Sequence, residues 1–319
     1  MREHCHKGLM PMAELRHVPT ALALPAEFKN FIQPIRDFKV RPDDVWVISY
    51  PKCGTIWTQE MVWLLGNNLD YDTAKKQLIY QRFPFLEAVG IISEEQKKGE
   101  DEDWVFRADT IAYCDQLPSP RYIKSHLPVQ LLPKEIWTQK PKIIYVTREV
   151  KDAAISYYHH HRLWNGYTGG YDQFMQAFIE DKLVYSPYWE HLIEYKKLEN
   201  EPNILINSFE DMKKDLVSAI KRTARFLLGE GGVPDDEAIA ALAEHLSFNR
   251  MKDNWAINGE ELVGEVKKRH GLDPRDPDLA FIRRGEVGAW KKEMNQQMVD
   301  KFDQWAKEKT KGTVLEHKE

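Results

Sequence analysis

The stretch at residues 45–65 reads VWVISYPKCGTIWTQEMVWLL, and it decides the fold. Residues 45–50 form a short apolar run of strand composition, whereas residues 55–65 carry apolar side chains at helical spacing and end before Gly66. Between them, the residues Pro51-Lys52-Cys53-Gly54 have the composition of a tight turn. This order predicts a strand, a turn and a helix, which is the opening of a βα unit.

The same pattern recurs along the chain. It predicts strands at residues 122–124, 142–147 and 203–206, and helices at residues 151–163, 214–228 and 296–309. Short apolar runs that alternate with helices predict an α/β fold in which helices flank a central parallel sheet. No linker or internal repeat interrupts the sequence, so we expect one domain over residues 1–319. Within it we expect a flexible N-terminal arm at residues 1–25 and a mobile loop at residues 259–278.

The composition is that of an ordinary globular protein, with 42% hydrophobic and 30% charged residues. A formal net charge of −5 gives no global field that favours nucleic acid, so any anionic ligand needs a local basic cluster. The three cysteines are too few and too irregular for a disulfide framework, which favours a reducing compartment. We see neither a signal-like apolar core near the start nor a membrane-spanning run, and therefore expect a cytoplasmic protein that contacts no membrane.

Basic residues stand where the predicted strands end. Lys52 follows the first strand, Lys124 and His126 the second, and Arg148 the third. Ligands of open parallel sheets bind beyond the carboxyl ends of the strands, so these side chains converge on an anion if the strands are neighbours.

The turn after the first strand has the features of a phosphate site. Gly54 permits a tight turn, the following helix directs free amides at the turn, and Lys52 and Thr55 add a charge and a hydroxyl. The sequence GxxxxGK[ST] is absent, which argues against a Walker A loop. A cysteine-phosphatase loop is also disfavoured, because Gln59 stands where its anion-binding arginine belongs.

The other strand ends allow two interpretations each. His126 lies two residues after Lys124 on the same strand face, where a neutral imidazole suits a general base, although it could be an exposed histidine. Arg148 and Ser156 could hold one anion, or the arginine could pair with Asp152. The clusters His4-Cys5-His6 and 159–161 are poor candidates for metal ligands, since consecutive helical residues do not face one another.

Read together, five ordered segments resemble the cytosolic sulfotransferases, including insect members. They are residues 50–57 (YPKCGTIW), 122–128 (YIKSHLP), 145–158, 209–212 with 245–251, and the sequence Arg283-Arg284-Gly285 that leads to Trp290-Lys291. The resemblance covers about residues 25–310. It implies a P-loop-like turn that binds phosphosulfate, 3′-phosphoadenosine 5′-phosphosulfate (PAPS) as donor, its product PAP, and no metal.

The resemblance also assigns roles to residues. His126 would be the general base, and Lys52 and Lys124 would stabilise the leaving phosphate. The remaining cofactor-binding set consists of Cys53, Gly54, Thr55, Ile56, Trp57, Arg148, Ser156, Phe209, Leu246, Phe248, Met251, Arg283, Arg284 and Gly285. For the small hydrophobic acceptor (a phenol, sterol, retinoid or other alcohol, or an amine) we expect a pocket that includes Phe85, Tyr157 and Trp189.

Several positions depart from the family pattern. Cys53, Ile56, Phe209 and Leu246 replace polar residues, so we expect fewer side-chain contacts to the cofactor. The dimerisation pattern after Lys291 is altered at both central residues, which predicts a monomer or a non-standard homodimer. Two alternatives remain: a silent PAP-binding protein, and an enzyme resembling retinol dehydratase that eliminates the sulfonated intermediate.

Overall fold

The structure is a computed structural model that describes residues 15–17, 22–92 and 109–316. The candidate ligands His4, Cys5 and His6 and most of the N-terminal arm lie outside these residues. The strands are β1 (Leu15–His17), β2 (Leu22–Leu24), β3 (Val45–Ser49), β4 (Tyr122–Ser125), β5 (Lys142–Thr147) and β6 (Ile204–Ser208).

The helices flank the sheet formed by β3, β4, β5 and β6. They are α1 (Ile32–Arg36), α2 (Thr55–Gly66), α3 (Tyr71–Lys76), α4 (Ile79–Arg82), α5 (Ala88–Ile91), α6 (Thr110–Gln116), α7 (Ile136–Gln139), α8 (Val150–Trp164), α9 (Tyr171–Ile179), α10 (Tyr188–Lys196), α11 (Phe209–Lys214), α12 (Leu216–Leu228), α13 (Asp236–His245), α14 (Phe248–Asp253), α15 (Trp255–Asn258), α16 (Glu260–His270), α17 (Trp290–Glu293) and α18 (Gln296–Thr310). Short 3-10 helices lie at Ala26–Asn30, Val129–Leu131 and Glu230–Gly232.

The predicted parallel sheet is confirmed, with strand order β4-β3-β5-β6. All five residues of β3 are buried because both faces of the sheet are covered. Successive side chains of β3 enter different cores: Trp46 and Ile48 pack in one cluster, and Val45 and Val47 in the other. This two-sided burial explains why the strand reads as a continuous apolar run.

The register places the strand ends at one edge of the sheet. Ile48 pairs with Ser125 and Ser49 pairs with Val146, so β3, β4 and β5 finish side by side. The residues that follow them, Lys52, His126 and Arg148, therefore start from the same edge.

The prediction of a loop at residues 259–278 is wrong for its first half, which forms helix α16. Gly264 and the many charges hide the pattern, but Leu262, Val263 and Val266 bury one face against Leu163 and Trp164 of α8. Residues 271–289 contain no regular helix or strand.

The described end of the N-terminal arm is fixed to the domain. Leu22–Leu24 is a buried strand paired with Leu15–His17, and Ala23 exchanges main-chain hydrogen bonds of 2.8 Å with Tyr185 and Ser186. Among the described residues, the helices are all too short or too polar to span a bilayer.

Candidate active site

A cavity of about 290 Å³ opens beyond the carboxyl ends of β3, β4 and β5. The structure brings most of the residues predicted from the sequence to its wall, although their ligand-binding roles remain predictions. Those that line it are Lys52, Gly54, Thr55, Ile56, Trp57, Phe85, Lys124, His126, Arg148, Ser156, Tyr157, Phe209, Leu246, Phe248, Met251, Arg283, Arg284 and Gly285.

The turn between β3 and α2 forms the floor of the cavity. Lys52 and Gly54 both have left-handed backbones, with φ of +70° and +97°. A Cβ on Gly54 would stand 2.8 Å from the Phe209 ring, so this position requires glycine for two reasons. The turn brings the first amides of α2, which have no partners within the helix, to the cavity. It is a ready anion cradle.

Two lysines stand at this floor with depressed pKa values. Burial, followed by the charges of Lys124, Arg148 and Arg283, lowers the pKa of Lys52 to about 7. Burial lowers the pKa of Lys124 to about 8. Their ammonium groups lie over aromatic rings, 5.0 Å from the centroid of Phe281 and 4.3 Å from that of Phe85. Two crowded, poorly hydrated cations favour an anionic ligand.

Arg148 connects this floor to the C-terminal loop. Its guanidinium donates to the Lys52 carbonyl at 3.1 Å and to the Glu286 carbonyl at 3.0 Å, and it lies 4.3 Å from the centre of the Phe209 ring. Its buried Nε has no partner among the described residues. The alternative pairing with Asp152 does not occur, because that carboxylate accepts from the amides of residues 288 and 290.

Arg283 and Arg284 reach the same cavity from the C-terminal loop. Both pair with Asp278 and Glu293, with the Arg284 to Glu293 distance at 2.7 Å and the Arg283 to Asp278 distance at 3.2 Å. These ion pairs fix both arginines at the wall of the cavity. Gly285 lies against Phe248, where a Cβ would come within 2.6 Å of the ring.

His126 is a buried histidine with one ring nitrogen fixed. Its Nδ1 lies 2.7 Å from the Ser49 carbonyl, which can only accept, so Nδ1 carries the proton and Nε2 keeps its lone pair. Burial, and then the charge of Lys124, holds the pKa of the imidazole well below its usual range. The exposed-histidine alternative is thereby wrong. Within the described chain, Nε2 has no hydrogen-bond partner and is available to a ligand.

One end of the cavity has aromatic walls suited to a flat base. Trp57 donates through Nε1 to the Leu246 carbonyl at 2.9 Å and packs edge-to-face on Phe209 with a centroid distance of 5.5 Å. Phe248 and Met251 complete this region. The predicted Phe85 and Tyr157 line the cavity as well, together with Phe83, Trp164 and Tyr185.

Two predicted residues do not line the cavity. Trp189 packs instead against Tyr188 and Trp305, with centroid distances of 5.2 and 5.8 Å, so its place in the acceptor pocket is wrong. The Cys53 side chain points into the core, where burial raises the pKa of its thiol to about 12. The structure therefore gives Cys53 neither a side-chain contact to the cavity nor the character of a nucleophile.

Several lining residues escaped the sequence analysis. His160 and Leu163 project from α8 with Ser156, and their spacing of three to four residues on a helix was a signal that could have found them. Phe281 offers no such signal, because it lies in the irregular segment after α16. No cluster of His, Cys, Asp and Glu suited to a metal ion occurs in residues 15–17, 22–92 and 109–316.

Comparisons with known proteins agree with this arrangement. Residues 42–314 match the model of the sulfotransferase domain. The chain is 39% identical to luciferin sulfotransferase of Photinus pyralis over 91% of its own length and 78% of that protein. It is 31% identical to sulfotransferase 1E1 of Bos taurus, with 90% and 91% of the two chains covered.

Among solved structures, retinol dehydratase in complex with androsterone and the inactive cofactor PAP superposes with a TM-score of 0.85 and 27% identity. That match covers 97% of this chain and 92% of the other. The family match extends from before β3 to beyond α18, so it includes every element that surrounds the cavity. This chain belongs to the sulfotransferase family.

Proposed function

We propose that this enzyme transfers the sulfuryl group of PAPS to a hydroxyl or amine of a small hydrophobic acceptor, with His126 as the general base. The observation that carries the proposal is the fixed tautomer of His126. Its Nδ1 donates to the Ser49 carbonyl, which leaves the Nε2 lone pair at the wall of a cavity whose floor holds Lys52 and Lys124.

The donor set fits a nucleotide with two separated anionic groups. Lys52 and the first amides of α2 would hold the 5′-phosphosulfate. Arg148, Ser156, Arg283, Arg284 and the Gly285 amide would hold the 3′-phosphate. The unpartnered Nε of Arg148 supports this assignment, since a buried N–H without an acceptor calls for one. When bound, PAPS supplies the activated sulfuryl group.

The adenine would lie among Trp57, Phe209, Leu246, Phe248 and Met251. Its flat face suits the aromatic walls, and the apolar side chains at positions 209 and 246 exclude water without adding polar contacts. Retinol dehydratase has been solved in complex with PAP, the product that PAPS leaves after transfer, and this supports PAPS as the donor here.

The side chains divide the chemistry between them. His126 would accept the proton of the acceptor hydroxyl at Nε2, and its lowered pKa keeps it ready to do so at neutral pH. Lys52 and Lys124 would stabilise the negative charge that develops on the leaving phosphate. The low-dielectric floor strengthens both effects, because fewer waters screen the charges.

The acceptor would occupy the part of the cavity beside His126. Phe85 and Tyr185 lie beside His126, with ring centroids 5.2 Å and 5.5 Å from that of the imidazole, and Tyr157 and Trp164 add apolar surface to the same cavity. Such a wall favours a phenol, sterol or retinoid over a sugar or peptide. We place the enzyme in the cytoplasm, as a monomer or as a homodimer through a non-standard surface.

A second function is favoured by one comparison. The match to retinol dehydratase covers nearly the whole chain. If the acceptor were an allylic alcohol, its sulfonated form could lose sulfate together with a proton in the apolar site, and the net reaction would be a dehydration. A silent PAP-binding protein is disfavoured, because His126, Lys52 and Lys124 all line one cavity.

The test is PAPS-dependent turnover across phenols, sterols, retinoids and amines, with products identified by mass. We expect a sulfonated product from an apolar acceptor in the parent, and at least a hundredfold loss in His126→Ala with PAP affinity preserved. Loss of water in place of added sulfate would establish the dehydratase alternative. Equal activity of parent and His126→Ala would refute the assigned base.

A further inference from the structure

A buried carboxyl lies behind His126. Glu87 is fully buried, and its Oε1 accepts a hydrogen bond of 2.6 Å from the main-chain amide of His126. Its other oxygen, Oε2, is buried and has no partner in the described chain. A carboxyl in this position is costly to desolvate, so its presence calls for a purpose beyond packing.

We propose, resting on the assignment of His126 as the base, that Glu87 is a positioning residue that holds the His126 main chain so that Nε2 faces the acceptor. The edge of the sheet explains why a side chain is needed. Residues 84–86 run beside β4 as an added strand, with Lys124 donating to the Pro84 carbonyl at 2.8 Å and accepting from the Leu86 amide at 3.0 Å.

Along a strand, main-chain groups of alternate residues point to the same edge. The amide of residue 126 therefore points the same way as that of Lys124, toward the added strand. There the chain turns away into α5, and Glu87 supplies a carboxyl oxygen in place of a main-chain carbonyl. The first residue beyond β4 thus stays ordered although no strand continues beside it.

The other contacts of His126 show how much depends on this bond. The ring is held by the Ser49 carbonyl, and the His126 carbonyl accepts from Nε2 of His191 at 3.1 Å. The only main-chain donor of the residue is bonded by Glu87. Without the Glu87 carboxyl, the His126 peptide can rotate and the imidazole can leave the Ser49 carbonyl. The proton is then no longer fixed on Nδ1, and Nε2 no longer keeps its lone pair toward the cavity.

The groups around Glu87 show that its carboxyl is a hydrogen-bond acceptor that carries only a weak charge. Burial raises the pKa of its carboxyl to about 7, although the His126 amide, the amide of Glu87 itself, the Ser125 side chain and the charge of Lys124 oppose the rise. The Tyr185 hydroxyl lies 3.4 Å from the same oxygen, and no lysine or arginine forms an ion pair with Glu87 in the described chain. Its direct contacts are therefore those of a hydrogen-bond acceptor, while its charge also raises the pKa of Lys124.

The experiment compares Glu87→Leu and Glu87→Gln with a matched control, Tyr195→Phe. The control removes one hydrogen bond of 2.7 Å to the neighbouring Leu127 carbonyl and keeps the ring. For Glu87→Leu we expect kcat to fall about 100-fold with the PAP dissociation constant within about threefold, because small misplacement of a reacting group has effects of this size. For Glu87→Gln we expect a loss within about tenfold, and for Tyr195→Phe within about threefold.

A second readout needs no acceptor. In protein labelled with 15N-histidine, and with His126→Ala for assignment, the His126 amide proton should move upfield in Glu87→Gln, and Glu87→Leu should lose the fixed Nδ1–H signal. If Glu87→Leu fails to fold, the shift in Glu87→Gln still decides. An unchanged His126 amide signal, or an equal loss of kcat in Tyr195→Phe, would overturn the proposal. A parent inactive on every acceptor would refute the proposed function alone, since the spectra would still test the positioning.

Discussion

The affinity for PAP should depend on pH through the two lysines at the floor of the cavity. The pKa of Lys52 is lowered to about 7 and that of Lys124 to about 8, in both cases mainly by burial. A bound anion favours the charged ammonium, so each lysine must take up a proton to bind PAP above its own pKa. Affinity is therefore full below pH 7 and is lost as the pH rises.

The size of the loss follows from the two values. Between pH 7 and pH 9 the dissociation constant should rise about 50-fold from Lys52 and about 10-fold from Lys124, or about 500-fold together, which is about 3.7 kcal/mol. This holds if both lysines stay charged in the complex up to pH 9. The phosphates of PAP are mostly doubly ionised from pH 7 upward, so their own titration contributes little in this window.

Isothermal titration calorimetry at constant ionic strength measures this dependence, and buffers of different ionisation enthalpy count the protons taken up. Lys52→Met should bind more weakly at pH 7 and should retain only the about 10-fold change from Lys124. A parent whose affinity changes less than about fivefold between pH 7 and pH 9 would refute the reasoning. The same conclusion would follow if Lys52→Met kept the slope of the parent.

Three further substitutions test the cavity and the packing around it. Gly54→Ala places a Cβ 2.8 Å from Phe209 at a φ of +97°, so calorimetry should show PAP affinity reduced at least about tenfold. The control is Gly264→Ala, which has open space around the new Cβ and should bind PAP as the parent does. Asp152→Asn weakens two main-chain bonds to the C-terminal loop, and we expect the PAP dissociation constant to rise about fivefold; an unchanged value would contradict this role. Trp189→Ala should lower the free energy of unfolding by about 2 kcal/mol with the acceptor KM within about twofold, and a large rise in KM would return Trp189 to the pocket.

The sheet was predictable from the sequence because its strands are buried on both faces. Such strands are continuous apolar runs, and the predicted strand at residues 142–147 has the bounds of β5. The helix predicted at residues 151–163 differs from α8 by one residue at each end. Helix α16 was missed, because its apolar stripe is short and is interrupted by Gly264.

The site was predictable where it depends on strand ends and unpredictable where it depends on packing. Lys52, His126 and Arg148 meet because their strands are neighbours, a consequence of βα topology. Nothing local distinguishes Trp189, which packs on Trp305, from an aromatic residue that faces the cavity. Tertiary contacts alone decide that difference.

The cations that would hold the donor also control the base. Besides burial, the charges of Lys124 and Lys52 lower the pKa of His126, because a protonated imidazole beside them would be repelled. A bound anion offsets that field, so His126 should become a stronger base only when the donor site is filled, which favours activation of the acceptor once PAPS is in place. An imidazole titration by NMR should therefore show the pKa of His126 rising when PAP is added. A pKa that stays unchanged with PAP bound would mean that burial alone sets the basicity of His126, and that donor binding and base strength are independent.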